Sequence, residues 1–174
     1  MALDSCVFPE GTPGFVVDVL ARRSLWEAGL DYQHGTGHGV GAALNVHEGP
    51  QSISARFGNT EPLAAGMILS NEPGFYDVDA EFGVRIENLL IVTKRMTQHN
   101  FGGKQFLGFE RLTHVPIQRS LMAPELLSAE DVCWIDSYHA QVRKAVLPRV
   151  SGRAHEWLLA ATEPLGSGFA QPRI

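Results

Sequence analysis

The sequence predicts one compact α+β unit, and three observations carry that prediction. Two segments repeat apolar residues at helical spacing and have start and stop residues at their ends. Two others are short apolar runs that stop at Pro-Gly or alternate with period two, as strands do. The 174 residues are 44% hydrophobic and 19% charged, with no low-complexity block, internal repeat or clear linker, so a single core can account for them.

Residues 13–28 read as a helix. Thr12 is placed to cap it, Pro13 suits its first turn, and Gly29 ends it. Val17, Leu20, Ala21, Ser24, Leu25 and Ala28 give it a mainly apolar face. The following segment, His34-Gly35-Thr36-Gly37-His38-Gly39-Val40-Gly41, has four glycines in eight residues, which lets backbones approach closely. Residues 67–72 read as a short buried strand stopped by Pro73-Gly74, and residues 82–93 as a longer one. In the longer strand Val84 and Ile86 point to one face, Arg85 and Glu87 to the other. Such charges are costly to bury unless each has a partner or a metal. A further strand is expected around Glu110 to Ile117. Ser128 then opens a helix, with Asp131 completing a capping box; Val132, Ile135, His139, Val142 and Val146 form its inward stripe, and Pro148 ends it. A last short helix runs from about Arg153 to Ala161. Residues 1–165 are read as the folded part and 166–174 as a mobile tail.

The formal net charge is −5 and no run of Lys or Arg forms a basic stripe, which argues against nucleic acid or an anionic membrane surface as partner. No stretch approaches the roughly 20 apolar residues of a membrane span. Met1 to Glu10 lacks the charged-then-apolar layout of a secretory signal. Cys6 and Cys133 fit reduced, structural thiols of a cytoplasmic protein. Cys133, Trp134 and Trp157 read as core or interface packing.

Three groups could carry chemistry together: His38 in the glycine-rich segment, Glu72 at the end of one strand, and Glu87 in the next. One imidazole and two carboxylates make a mixed N/O set that suits Mn, Co, Zn or Fe. His47 is a separate candidate for acid–base or oxyanion work, since its ordinary pKa lies near neutrality. Taken singly, each has a plainer reading. His38 and His47 could be loop residues, Glu72 a turn residue, and Glu87 half of an ion pair with Arg85.

Four segments change the balance: His34-Gly-Thr-Gly-His38-Gly-Val-Gly41, Leu44-Asn-Val-His47-Glu-Gly-Pro50, Asn71-Glu72-Pro-Gly-Phe-Tyr76 and Phe82-Gly-Val-Arg-Ile-Glu87-Asn88. In order and spacing they resemble the signature blocks of the Xaa-Pro aminopeptidases (aminopeptidase P), most closely the eukaryotic cytosolic type. The wider M24 peptidases share looser versions. The similarity extends from about Val7 to about Pro164 and to the C-terminal part of the catalytic domain only.

The resemblance implies the C-terminal half of a pita-bread fold, a curved and mostly antiparallel sheet with helices on one side. It implies a metallo-exopeptidase that releases the N-terminal residue from peptides with proline second, using two Mn ions, with Zn or Co as alternatives. His38 and Glu72 match ligands of one ion, and Glu87 a carboxylate that bridges both. His47 matches a catalytic and substrate-positioning histidine, His34 a histidine lining the substrate pocket, and Arg85 a group that orients a ligand carboxylate. Two aspartate ligands of the family have no counterpart here. The expectation is therefore a truncated chain, inactive alone, whose partners are the N-terminal half of the enzyme and a second copy in a homodimer. The rival readings are a non-catalytic pita-bread protein that binds peptides or proteins, and another M24 peptidase such as prolidase.

Overall fold

The computed structural model describes residues 1–166. The tail expected at 166–174 lies, but for Gly166, outside the described residues. Where the sequence reading draws one unit, the chain divides into two, Met1–Leu112 and the residues from Thr113 onward. Each closes a core of its own.

The first unit is built on a four-stranded antiparallel sheet. Its strands are β1 (Val7–Pro9), β4 (Ile68–Asn71), β7 (Asn88–Arg95) and β8 (Phe106–Arg111), in the order β1-β8-β7-β4. Two small two-stranded ladders join β2 (Gly37–His38) to β3 (Ser52–Ile53) and β5 (Gly74–Asp77) to β6 (Phe82–Arg85). Along β7 the period of two is plain: Asn88, Leu90 and Val92 are buried and their neighbours less so. Leu69, Leu90, Val92, Leu107 and Phe109 meet Val17 of helix α1 (Gly14–Glu27) in the core. Each such buried side chain contributes about 1.5–3 kcal/mol.

Helix α1 ends as expected, with Gly29 at φ 73°, but its start differs. Pro13 takes the N-cap position, and the Thr12 hydroxyl donates to the Pro9 carbonyl instead of capping the helix. Its inward face is also shifted from the expected stripe, because Asp18 and Arg22 are buried beside Val17.

The strand expected over 82–93 is two strands in two ladders, β6 and β7. The reason lies on the opposite arm. Asn71 pairs with Asn88 and Gly74 with Arg85 in a single register, so Glu72 stands opposite Glu87 and Pro73 opposite Ile86. Proline has no N–H to give, and the ladder lapses there. β6 is exposed along its length, so Arg85 is not the buried charge within an apolar strand that the sequence suggests.

The strand expected at 110–117 is likewise displaced. β8 ends at Arg111, and the chain after it gives its polar groups to a helix instead of a ladder. Tyr138 donates its hydroxyl to the Val115 carbonyl (2.8 Å), and His139 Nε2 accepts the Ile117 N–H (3.1 Å). Both side chains belong to α2 (Ala129–Val146), the main element of the second unit. Its capping box is present: Ser128 Oγ accepts the Asp131 N–H, and Asp131 Oδ2 accepts the Ser128 N–H. A 3₁₀ turn at Leu147–Arg149 follows, then α3 (Gly152–Ala161), whose Leu158 packs with Tyr138 and Val142. Trp134 stacks on Tyr138, whereas Cys133 and Trp157 are exposed. Both cysteines are free thiols. Among the described residues no helix is long and apolar enough to cross a membrane.

Candidate metal centre

The glycine-rich segment reaches the sheet through bare backbone. A Cβ on Gly37 would lie 2.0 Å from the Ser70 carbonyl oxygen, and one on Gly39 2.0 Å from that of Glu48. Only glycine permits these approaches, and they set His38 between β3 and β4. The His38 N–H donates to Ser70 Oγ (2.9 Å). Its ring Nδ1 lies 2.9 Å from the Gly39 carbonyl, a partner that can only accept. Nδ1 is thereby engaged as a donor, which leaves Nε2 as the ring nitrogen free to ligate an ion.

That nitrogen faces carboxylate. Glu72 Oε1 lies 3.2 Å from His38 Nε2. The same oxygen accepts the Ser70 hydroxyl proton (2.8 Å), while Oε2 lies 3.2 Å from Arg85. The Glu72 N–H donates to the Thr36 carbonyl (2.8 Å). Glu87 comes from the opposite arm of the hairpin, where the shared register puts it across from Glu72. One ligating atom from each of His38, Glu72 and Glu87 lies within 4.8 Å of the others.

The donor set itself tests whether a metal ion fits. An imidazole nitrogen and two carboxylates gathered so closely call for positive charge among them. Arg85 offers one such charge, but to Glu72 Oε2, on the side away from His38. An ion with bonds of about 2.0–2.2 Å suits both the spread and the chemistry of the three ligands. His38, Glu72 and Glu87 are thus the residues able to hold it.

The other sequence candidates surround this cluster. The His47 ring stands edge-on to His38, centroids 4.1 Å apart, but His47 is outside the three-residue ligand group. His34 packs against Tyr32 and Tyr76. Its Nδ1 is tied to the Gly35 carbonyl, and its buried Nε2 has no partner among the described residues. Arg85 shares a strand face with Glu87 by periodicity, yet its ion pair is with Glu72, and its Nε donates to the Tyr76 hydroxyl (2.8 Å).

The model of metallopeptidase family M24 matches residues 1–94, more than half of the chain. The chain belongs to this family. The model of the C-terminal region of M24 peptidases matches residues 105–165. Among curated relatives, aminopeptidase P2 of Arabidopsis thaliana is 60% identical over 166 residues, covering 95% of this chain and 23% of that protein. A probable Xaa-Pro aminopeptidase P of Laccaria bicolor is 51% identical, covering 95% of this chain and 26% of its own length. The crystal structure of X-prolyl aminopeptidase from Caenorhabditis elegans, described as a cytosolic enzyme with a di-nuclear active site, superposes with a TM-score of 0.83. It is 41% identical, over 94% of this chain and 27% of that one. The fold is therefore of the pita-bread type, and the chain spans about a quarter of the length of these M24 relatives.

The M24 segment also contains a support that the sequence reading missed. Arg22 on α1 donates to Asp18 (2.7 Å), to Asp31 (2.8 Å) and to the carbonyls of Tyr32 (2.7 Å) and His34 (2.9 Å). Its guanidinium lies 3.9 Å over the Tyr32 ring. Burial works against its charge, but the bonds to Asp18 and Asp31 outweigh burial and raise its pKa. Asp18 accepts the Thr36 hydroxyl proton, and the Thr36 carbonyl receives the Glu72 N–H. The signal was available: Asp18 and Arg22 stand four apart on a helix face that also carries Val17, Ala21 and Leu25. Ser70, an uncharged residue in an apolar strand, gave no such signal.

Proposed function

We propose that this chain carries part of the dinuclear metal centre of an Xaa-Pro aminopeptidase, which releases the N-terminal residue from peptides with proline in the second position. The observation that supports this reading most directly is the convergence of His38 Nε2, Glu72 and Glu87 at the gap in the hairpin. The names of relatives at 60% and 51% identity, an aminopeptidase P2 and a probable Xaa-Pro aminopeptidase P, support the substrate class.

In this reading His38 and Glu72 hold one ion and Glu87 bridges to a second. The remaining ligands, two aspartates, lie in sequence outside these 174 residues. Manganese is the expected metal, with zinc or cobalt as alternatives. When bound, the ions polarise the scissile carbonyl and lower the pKa of the attacking water. The chain's own residues do the rest. Arg85 keeps one oxygen of Glu72 turned away from the ion. His47, beside His38, donates a hydrogen bond to the oxygen that gains charge as the peptide carbonyl is attacked. His34, with Tyr32 and Tyr76 against it, walls the pocket for the substrate. The complete enzyme works in the cytoplasm as a homodimer, and this chain alone is inactive.

Calorimetric titration of the 174-residue chain with Mn²⁺ tests the core of this reading. Wild type is expected to bind, and Glu72→Gln to bind at least about 100-fold more weakly, the upper range for loss of a metal-site interaction. Equal affinity in the two proteins, or no binding by either, would sink it.

A further inference from the structure

Ser70 is fully buried on β4, two residues before Glu72 and therefore on the same face of the strand. Its hydroxyl has one proton to give and lone pairs to receive. The His38 N–H occupies the receiving side at 2.9 Å, and the proton goes to Glu72 Oε1 at 2.8 Å. One small side chain thus touches the backbone of one candidate ligand and the carboxylate of another.

The polarity of this arrangement matters. A hydroxyl that accepts from an N–H is polarised toward giving its own proton, here to a charged acceptor. The bond draws Oε1 to the His38 side, where it lies 3.2 Å from Nε2, and leaves Oε2 to Arg85. Together with the bond from the Glu72 N–H to Thr36, it fixes both ends of the glutamate. The hydroxyl on Oε1 and the Arg85 guanidinium on Oε2 thus divide the carboxylate between them.

We propose that Ser70 is a positioning residue of the metal centre: its hydroxyl ties the His38 backbone to Glu72 Oε1 and holds that carboxylate beside His38 Nε2. The inference rests on the metal-centre reading above. The alternative is a buried serine that satisfies its own hydroxyl and does nothing more. Such a serine would change stability when removed, but not metal affinity at equal foldedness.

The test is titration of the 174-residue chain with Mn²⁺, with the visible spectrum of bound Co²⁺ as a report on ligand geometry. Melting in the presence of chelator gives the stability of each metal-free variant. Ser70→Ala is expected to bind Mn²⁺ about 10–100-fold more weakly, the usual loss when a group supporting a ligand is removed. It should also change the Co²⁺ spectrum. Ser70→Thr, which keeps the hydroxyl on a strand-compatible residue, is expected to bind nearly as wild type. Val92→Ala, a cavity in the same sheet, should lower the melting temperature and leave the affinity unchanged. Should Ser70→Ala fail to fold, Ser70→Val replaces it with the same expectation, because it matches Ser70→Thr in shape and has no hydroxyl to give. Wild-type affinity in Ser70→Ala, an equal loss in Val92→Ala, or no rescue by Ser70→Thr would each overturn the role of Ser70 and leave the metal centre standing. A wild-type chain that binds no Mn²⁺ would overturn the metal centre itself, and the proposal with it.

Discussion

The two units of this chain follow local rules to different degrees. In the second, helix α2 starts at a capping box, carries a helical stripe of buried residues and stops before a proline. Helix formation and burial ask for the same residues there. In the first, half of the eight-residue segment that bears His38 is glycine, the strands around Glu72 and Glu87 are interrupted, and Asp18 and Arg22 are charged yet buried. Departures from local preference concentrate where a site must be held open, and they are sustained by contacts elsewhere.

Substitutions should expose this contrast, and the largest effect is expected under the glycine-rich segment. Asp18→Ala removes the buried one of Arg22's two carboxylates and leaves it Asp31, so the loss is expected near the lower end of the range for a broken buried pair, about 3 kcal/mol. Denaturant unfolding should show this loss in the first unit, with amide exchange in α2 little changed. Loss spread evenly over both units would mean that they are energetically one body.

Next comes Gly37→Ala, whose added methyl must meet the Ser70 carbonyl. Overpacking against backbone costs about 1–3 kcal/mol or more. Because the clash is at β4, metal affinity should fall together with stability. A variant that melts lower yet binds Mn²⁺ normally would show that the glycine serves packing alone.

In the second unit the matching experiment is milder. Ser128→Ala removes an N-cap and should cost about 1 kcal/mol, read by thermal unfolding, with Mn²⁺ affinity untouched. A change in affinity would break the separation drawn between the units.

The smallest effect is a pH dependence centred on His139. Burial pushes this ring below the ordinary histidine pKa, with Arg119 and Arg143 near enough to add to the effect and Asp136 opposing it. Its Nε2 accepts the Ile117 N–H, which only the neutral ring can do. The unfolded ring takes a proton near the ordinary value of about 6.5, before the folded one does. Stability from this residue is therefore present above that pH and lost progressively as the pH falls through it toward the folded value. Unfolding followed by α2 signals between pH 7.5 and 5.5 should show the loss, and His139→Gln, which keeps an acceptor, should flatten it. An unchanged slope in that variant would remove His139 as its cause.

Much of this was legible in the sequence, for reasons that differ by residue. Helix α2 was legible because capping and periodicity are local. The three candidate ligands could be named because an imidazole and two carboxylates fall at motif positions of the M24 family. The split of residues 82–93 was not, since the cause of the break, Pro73, lies on the partner strand. The partner of Arg85 was hidden in the same way. Period two relates it to Glu87, whereas hairpin pairing delivers Glu72 to it. The strand expected around Glu110 to Ile117 stops at Arg111, and the polar groups after it are claimed by side chains of a helix that begins many residues later. The Asp18–Arg22 pair could have been read from its helical spacing and was missed, while the bonds of Arg22 to the Tyr32 and His34 carbonyls are announced by no residue pattern.

The single register that runs through the hairpin has a further consequence. The distance between Glu72 and Glu87 is set by cross-strand pairing and not by how much chain separates them. The turn from Val78 to Glu81, exposed and closed by Glu81 at φ 56°, lies beyond the β5–β6 ladder. Residues can be gained or lost in that turn without moving either carboxylate, while one residue added between Ile68 and Glu72 would put every later side chain of that arm on the wrong face. The hairpin thus divides into a stem that heredity must copy faithfully and a tip that it is free to rewrite.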